Sequence, residues 1–302
     1  MPLLTSSPAR PSLGSRRSRS RNVPTVTQAV EELVRTTVGL SDLDMGRPWV
    51  WREYDDEGLR FTLLLAQHEL RDLAVRLASL RARKGPPESQ TERILGQYHL
   101  AYRDLAGVLA GLRDDDLDRV PAVGEWPVRE VLEHMLGAEY GFLGVVQYAL
   151  SPDRPRDAEE AEERWDSWRD EHNYRAPKTL EGGIADVRNA IFEIHRRILR
   201  ELGPLPDEAL EKPAMFWDGE KPIRFRLHRF EAHMVQHTVQ VEKTLEWIER
   251  GPTEARRLIR VLYRDLAPVE MLGSTQFGEK EREAVAAALS ERAAEIAVSA
   301  KS

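Results

Sequence analysis

Apolar side chains recur at intervals of three and four residues along most of this chain, which is the spacing of the buried face of an α-helix. The longest such stripe lies within 56–84 and comprises Leu59, Leu63, Leu64, Leu70, Leu73, Leu77 and Leu80. The same periodicity predicts further helices over 26–38, 91–112, 127–150, 179–202, 224–249, 253–267 and 278–299. Because no series of segments alternates with a period of two, the sequence predicts an all-α fold.

Glycine and proline residues separate these predicted helices. The segment "KGPPESQ" ends the leucine-rich helix, and Gly-Pro pairs follow two later helices. The charged stretch after residue 150 is predicted to be an exposed connection with a short helix. The four helices between 91 and 249 have lengths suited to one bundle. We therefore expect a disordered basic tail (1–22), an N-terminal helical extension (23–86), a four-helix bundle (87–252) and C-terminal helices (253–302).

Composition narrows the classes of function. The 302-residue chain has a net charge of -7 at pH 7, and this acidity argues against a body that binds nucleic acid. The absence of cysteine excludes disulfide scaffolds, thiolate catalysis and iron–sulfur ligation. No apolar run approaches the roughly 18 residues of a membrane span, and no apolar signal-peptide region follows the early arginines. We therefore expect a cytoplasmic protein without a membrane partner.

Residues 1–22 differ from the rest of the chain. The stretch "SSPARPSLGSRRSRSRN" is rich in serine, arginine and proline and contains no acidic residue. This composition is typical of a basic arm for RNA or DNA and of an organelle transit segment. It is equally typical of a disordered tail, or of residues that are translated only because the start codon was placed too early. The stretch lacks interleaved aromatic residues and a helical apolar face, which favours the disordered tail. A nucleic-acid partner is therefore not expected.

A histidine pair distinguishes the helix predicted at 224–249. His233 and His237 are four residues apart, so their side chains lie on one helical face and can reach one metal ion. Val241, Leu245 and Ile248 continue the same face, which places the pair on the buried side. Because an unpaired buried polar group costs roughly 1–3 kcal/mol, two buried imidazoles need partners, and one ion serves both. The pair alone is a weak signal, since about 0.2 such pairs are expected by chance.

A third donor must come from a neighbouring helix, and His134 is the best candidate. It lies in "EWPVREVLEHMLGAEY", in line with Val131 and Ala138 on the face that packs inward. Glu130 lies one turn earlier and is a candidate acceptor that would orient the His134 ring.

The other histidines are interpreted as structural or exposed. Two arginines follow His195, which is therefore predicted to lie near the surface, and His99 is interpreted as a hydrogen-bonded boundary residue. Either of them could in principle replace His134 as the third donor. His228 lies five residues before His233, roughly 140° around the helix, and is predicted to face solvent.

Neighbouring polar and aromatic residues receive structural interpretations. Gln236 and Gln240 are interpreted as a polar helix flank, although either could support a ligand or contact a substrate. Trp126 and Trp217 could line a pocket, but they are interpreted as core residues at helix entries. The acidic run at 113–118 lacks the glycine and terminal glutamate of a calcium loop and is interpreted as a solvated helix end.

Two separate segments resemble those of the DinB/YfiT-like proteins. "EWPVREVLEHM" resembles the family's tryptophan-led entry to its second helix, with Trp126 as the tryptophan and His134 as the histidine that projects into the bundle. "HRFEAHMVQHTVQ" resembles the family's late H-x-x-x-H helix, with His233 and His237 at the matching positions. The Trp-Asp-Gly turn that begins at Trp217 is also similar.

The resemblance covers roughly 90–250 and leaves the flanks 23–84 and 253–302 unexplained. It implies an antiparallel four-helix bundle with an unusual connection, frequently dimeric. It also implies that His134 and the H-x-x-x-H pair hold one divalent ion (Zn, Ni or Mn) with open coordination positions. Some members of the family are S-transferases or isomerases that use low-molecular-weight thiols.

Two hypotheses follow from the residues and the resemblance together. In the first, the protein is a metal-dependent hydrolase or thiol transferase, whose ion lowers the pKa of a bound water or of a small-molecule thiol. In the second, it is a non-catalytic bundle with a structural metal or none, and its extra helices serve dimerisation or partner binding. An open coordination position distinguishes the first from the second. A homodimer is expected, and it is predicted to bury part of the stripe between Leu63 and Leu80.

Overall fold

A computed structural model describes residues 24–50, 52, 54, 56–272 and 277–299 of the chain. Its helices are α1 (Val26–Thr37), α2 (Arg60–Lys84), α3 (Gln90–Leu109), α4 (Asp114–Leu117), α5 (Val128–Leu150), α6 (Ala158–Glu171), α7 (Ile184–Leu202), α8 (Ile223–Trp247), α9 (Glu254–Met271) and α10 (Glu279–Ser299). A short antiparallel pair joins β1 (Pro213–Ala214) to β2 (Lys221–Pro222). The predicted all-α class is confirmed.

Some helices begin or end at other residues than predicted, and glycine or proline lies at or near each of these positions. Helix α2 begins at Arg60 rather than at 56, because Gly58 has φ +66°, outside the right-handed helical region. Helix α7 begins at Ile184 rather than at 179, after Gly182 with φ +83°. Helix α9 continues through Pro268, where the prediction had ended it at 267. The existence of each predicted helix is confirmed, and only its ends move.

Four helices surround the first hydrophobic core. Helix α8 packs against both α3 and α5, and α7 packs against the same two helices. Their apolar faces contribute the large buried side chains at the centre, which include Tyr98, Leu132, Met135, Ile194, Phe230 and Met234. Each of the four helices therefore has two neighbours in this group, as in a four-helix bundle.

The predicted N-terminal and C-terminal extensions pack together around a second core. Helices α1, α2, α9 and α10 supply its buried residues, among them Leu33, Leu70, Leu262, Tyr263 and Leu289. Helix α9 also packs closely against α3, where a Cβ on Gly107 would lie 2.8 Å from the Cα of Arg260. The absence of a side chain at Gly107 thus permits this close helix crossing and joins the two cores.

The leucine stripe predicted to form a dimer interface is not an exposed surface. Leu63, Leu70, Leu73 and Leu77 are at most 1% exposed and belong to the second core. For these four residues the prediction was wrong, because helices α9 and α10 of the same chain cover them. Leu64 and Leu80 of the stripe are only partly buried.

Two charged segments that the sequence predicts to be exposed contain residues that pack against the rest of the protein. Within the connection after residue 150, Trp168 of α6 packs against Tyr148, with ring centroids 4.9 Å apart. In the acidic run at 113–118, the Asp116 side chain is fully buried and accepts a hydrogen bond from Nε of Arg250 at 2.7 Å. The interpretation of that run as a solvated helix end was therefore wrong at Asp116, because its partner is distant in sequence.

The predicted tail at 1–22 lies outside the described residues. Across the described ranges, no helix is long and apolar enough to cross a membrane.

Candidate metal centre

The three histidines singled out in the sequence come together between helices α5 and α8. His233 and His237 are one turn apart on α8, and His134 faces them from α5. One nitrogen of each ring lies within 4.8 Å of the others, and Nε2 of His134 is 3.2 Å from Nε2 of His233. The helical spacing aligns the α8 pair, and the packing of α5 against α8 adds the third ring.

His134 and His233 have the charge state that metal binding requires. Burial, followed by the charge of His237, lowers the pKa of His134. Burial also lowers the pKa of His233 to about 3, with smaller contributions from His237, His134 and Arg229. Both rings are therefore neutral near pH 7, and a neutral imidazole has a lone pair to donate.

The geometry fits one divalent ion. Two ligands at roughly 2.1 Å from a tetrahedral ion lie about 3.4 Å apart, which is close to the separation of the Nε2 atoms of His134 and His233. His237 donates from Nδ1 to Oε1 of Gln240 at 2.7 Å, and this hydrogen bond leaves Nε2 free to bind a metal. Gln240 therefore orients a candidate ligand, and the preference for a merely polar flank was wrong at this position.

Glu130 does not have the orienting role suggested by its position. Its side chain is exposed, and within the described part of the chain no hydrogen bond joins it to His134. Instead, the His134 ring lies beside Trp126, with centroids 5.4 Å apart. Trp126 is 41% exposed and Trp217 is 80% exposed, so neither is the core residue that the sequence predicted.

One side of the cluster is open and the other faces the core. His134 is exposed, whereas His233 and His237 are 5% and 6% exposed. Phe142 meets the His233 ring edge-on at a centroid distance of 5.4 Å. Among the described residues, no carboxylate joins the three imidazoles as a fourth ligand. An ion held here would thus retain coordination positions on the side of His134.

The predicted surface location of His195 was wrong. His195 is 2% exposed, and its Nε2 lies 2.9 Å from Nδ1 of His99. Nε2 of His99 in turn lies 2.9 Å from Oε2 of Glu270 on α9. The two arginines after His195 point in other directions because successive helical residues are turned by about 100°. His99 and His195 therefore join the two cores and are not part of the candidate metal centre.

His228 is exposed, as predicted.

Glu139 is a poor candidate for a general base beside the three histidines. Glu139, five residues after His134, is buried and accepts a hydrogen bond from the Tyr98 hydroxyl. Burial raises the pKa of Glu139 to about 8, although this hydrogen bond opposes the increase. The carboxyl group is consequently mostly protonated at pH 7 and a poor proton acceptor there.

A comparison with protein families gives a match over the region that contains the candidate metal centre. Residues 97–241 match the family model of the DinB superfamily, and this stretch contains all three histidines of the candidate centre. The chain matches no curated protein and no solved structure.

Proposed function

We propose that this chain, which is DinB-like over residues 97–241, binds one divalent ion through His134, His233 and His237 and uses it in hydrolysis or thiol transfer. The observation that carries the proposal is the convergence of three imidazoles without a histidine or carboxylate as a fourth ligand among the described residues. A structural metal site is normally closed by four protein ligands, whereas a catalytic site keeps a position for water or substrate.

The chain's own residues supply binding and orientation. The two α8 histidines are held by the core, and Gln240 fixes the ring of His237. His134 borders solvent, so a small molecule can approach from its side. A divalent ion such as Zn, Ni or Mn, when bound, would act as a Lewis acid towards water or a low-molecular-weight thiol.

A non-catalytic bundle is the second candidate. It is favoured by the absence of an ionised carboxylate beside the histidines in the described structure, and by the protonated state of Glu139. In that case the ion would be structural, and the site would not exchange ligands with solvent.

Cobalt substitution distinguishes the two candidates. We would load the full chain with Co²⁺ and record its visible absorption before and after adding azide or 2-mercaptoethanol. An exchangeable position predicts a change in the spectrum with at least one of them, because the added ligand alters the coordination sphere. A cobalt spectrum that neither ligand changes would contradict the catalytic proposal. Screens for hydrolase and thiol-transferase activity would follow a positive result.

The hydrogen bond to Gln240 predicts a graded effect on metal affinity. Replacing Gln240 by alanine is expected to weaken zinc binding by about 10–100-fold, the usual effect of removing a residue that orients a ligand. Gln236→Ala is the matched control, since Gln236 is exposed on the same helix. Equal zinc affinities of the two variants in calorimetric titrations would argue against an orienting role for Gln240.

A further inference from the structure

Helix α8 contains two sheltered arginines that have no acidic partner among the described residues. The Arg226 side chain belongs to the buried set at 6% exposure, and Arg229 is half-buried. The Nε atom of each is buried, and neither guanidinium has a hydrogen bond or an ion pair with any described residue. Burial and the nearby charge of Arg229 lower the pKa of Arg226 to about 10, which leaves it charged at pH 7.

Several other sheltered arginines are paired, although the half-buried Arg256 on α9 also has a buried Nε without a hydrogen-bond partner among the described residues. Arg81 also has a buried Nε, but its terminal nitrogen contacts Glu92 at 2.7 Å. Arg103 is bound by Glu270. Two residues before Arg226, Arg224 contacts Glu211 at 2.7 Å. A buried charge without a counterion is costly. Two arginines on one helix that both lack a counterion therefore indicate a site for an anion from solution.

Aromatic rings orient both guanidiniums. Arg226 lies over the Phe216 ring at 4.5 Å, and Arg229 lies over the Phe142 ring at 5.8 Å. Stacking on a ring leaves the edge of a guanidinium, where its N–H groups point, available for an anion. The rings therefore hold the two charges in place without using their hydrogen-bond donors.

The arginine pair lies on the same helix as His233 and His237 and precedes both of them. Arg229 precedes His233 by one helical turn and Arg226 precedes it by two, which corresponds to about 6 Å and about 10 Å along the helix. Phe142, which stacks with Arg229, also contacts the His233 ring edge-on. A small molecule with its anionic group on the arginines can thus reach the histidines with its other end.

We propose that Arg226 and Arg229 bind the anionic group of the small-molecule substrate, a carboxylate or a phosphate, while its reacting atom lies at the three-histidine centre. This inference rests on the function proposed above and adds the substrate class. The substrate is an anionic molecule whose charge lies one to two helical turns from the atom that reacts. Guanidinium groups suit both anions because their paired N–H donors match the spacing of two oxygens.

The test measures anion binding by the metal-free full chain, so that it does not depend on metal uptake. Inorganic phosphate and acetate serve as probes in calorimetric titrations and in thermal unfolding. Arg226→Met and Arg229→Met keep most of the apolar stem and remove the charge, and Arg224→Met is the control because Arg224 already has a carboxylate partner. Both test variants should bind the preferred anion about tenfold more weakly, or worse, whereas the control should stay within about twofold.

Unfolding temperature separates binding from packing. If the arginines exist to bind an anion, Arg226→Met should unfold at the same or a higher temperature, since a buried unpaired charge is removed. A lower unfolding temperature with unchanged anion affinity would assign Arg226 to packing on Phe216 alone and overturn the proposal. It would also be overturned if neither probe binds the wild type, or if all variants bind equally.

The outcomes separate this inference from the proposed function. Anion binding through the arginine pair in a protein that takes up no metal would refute the metal-dependent function and leave the anion site standing. Metal uptake without anion binding would refute the anion site and leave the metal-dependent function standing. The relative affinities for phosphate and acetate indicate whether the substrate is phosphorylated or a carboxylate.

Discussion

Replacing Glu270 by alanine is expected to lower the free energy of unfolding by about 3 kcal/mol, because the buried Arg103 guanidinium would lose its nearer anion and keep only Glu31, 3.6 Å away. Nε of Arg103 donates to Glu270 at 2.6 Å, and Nε2 of His99 lies 2.9 Å from the same carboxylate. The Arg103 and His99 side chains are only 7% exposed. The loss would loosen the contact between α3 of the first core and α9 of the second, as measured by chemical denaturation.

Asp265→Ala is the matched control on the same helix. Asp265 pairs with Arg71 at 2.9 Å, but the Arg71 side chain is 55% exposed. Solvent screens such a pair, so its loss should change the free energy of unfolding by less than about 1 kcal/mol. Similar destabilisation by the two variants would show that the Glu270 cluster has no special role in joining the cores.

The same cluster predicts acid sensitivity. Burial alone would raise the pKa of Glu270, but hydrogen bonds from His99 and Arg103 and the charge of Arg103 lower it from 4.5 to about 2. A carboxyl group with a lowered pKa contributes stability above its unfolded value of 4.5, and this contribution is lost as the pH falls towards 2. Unfolding measured across this range should therefore depend less on pH in Glu270→Ala than in the wild type.

Zinc is expected to raise the stability of the wild type by about 4 kcal/mol when its free concentration is a thousand times its dissociation constant. The reason is that the folded chain brings together His134, His233 and His237, which the unfolded chain does not. His233→Ala removes the donor whose Nε2 lies 3.2 Å from Nε2 of His134 and should abolish most of this gain at the same zinc concentration. Thermal unfolding with and without zinc measures the effect.

His228→Ala controls for nonspecific binding of zinc to histidine. His228 is exposed on α8, five residues before His233, and lies apart from the cluster. Its variant should keep the full stabilisation by zinc. Loss of the gain in both variants, or no gain in the wild type, would contradict a specific site at the three histidines.

The sequence predicted those features that depend on local periodicity. A stripe of leucines predicts α2, and Gly-Pro pairs predict where α7 and α8 end, because both signals act within a few residues. The grouping of His134 with the α8 pair also followed from helical faces. Each residue was assigned to an inward face, and the packing of α5 against α8 then brought those faces together.

Features set by distant partners were missed. The burial of His195 depends on His99 and Glu270, and that of Asp116 depends on Arg250, which follows it by 134 residues. No local pattern contains such information. Gln240 is a different case, since its contact with His237 spans only three residues and follows helical spacing. That spacing was the signal from which its orienting role could have been inferred.

The arginines at the start of α8 show why charge in the sequence alone does not identify a candidate binding site. Arg224, Arg226 and Arg229 look alike in the sequence, where all three belong to a basic stretch at the start of α8. They differ only in what surrounds them, because Arg224 meets a glutamate while the other two stack on aromatic rings. An arginine without a counterion can be identified only when its neighbours in the folded protein are known.

Metal content tests the central claim most directly. The full chain would be loaded separately with Zn, Ni and Mn, dialysed, and analysed by mass spectrometry beside the double variant His233→Ala/His237→Ala. We predict about one equivalent of at least one metal in the wild type and almost none in the double variant, since a single imidazole is a weak site. Equal metal content in both proteins, or none in the wild type with any of the three metals, would contradict the account.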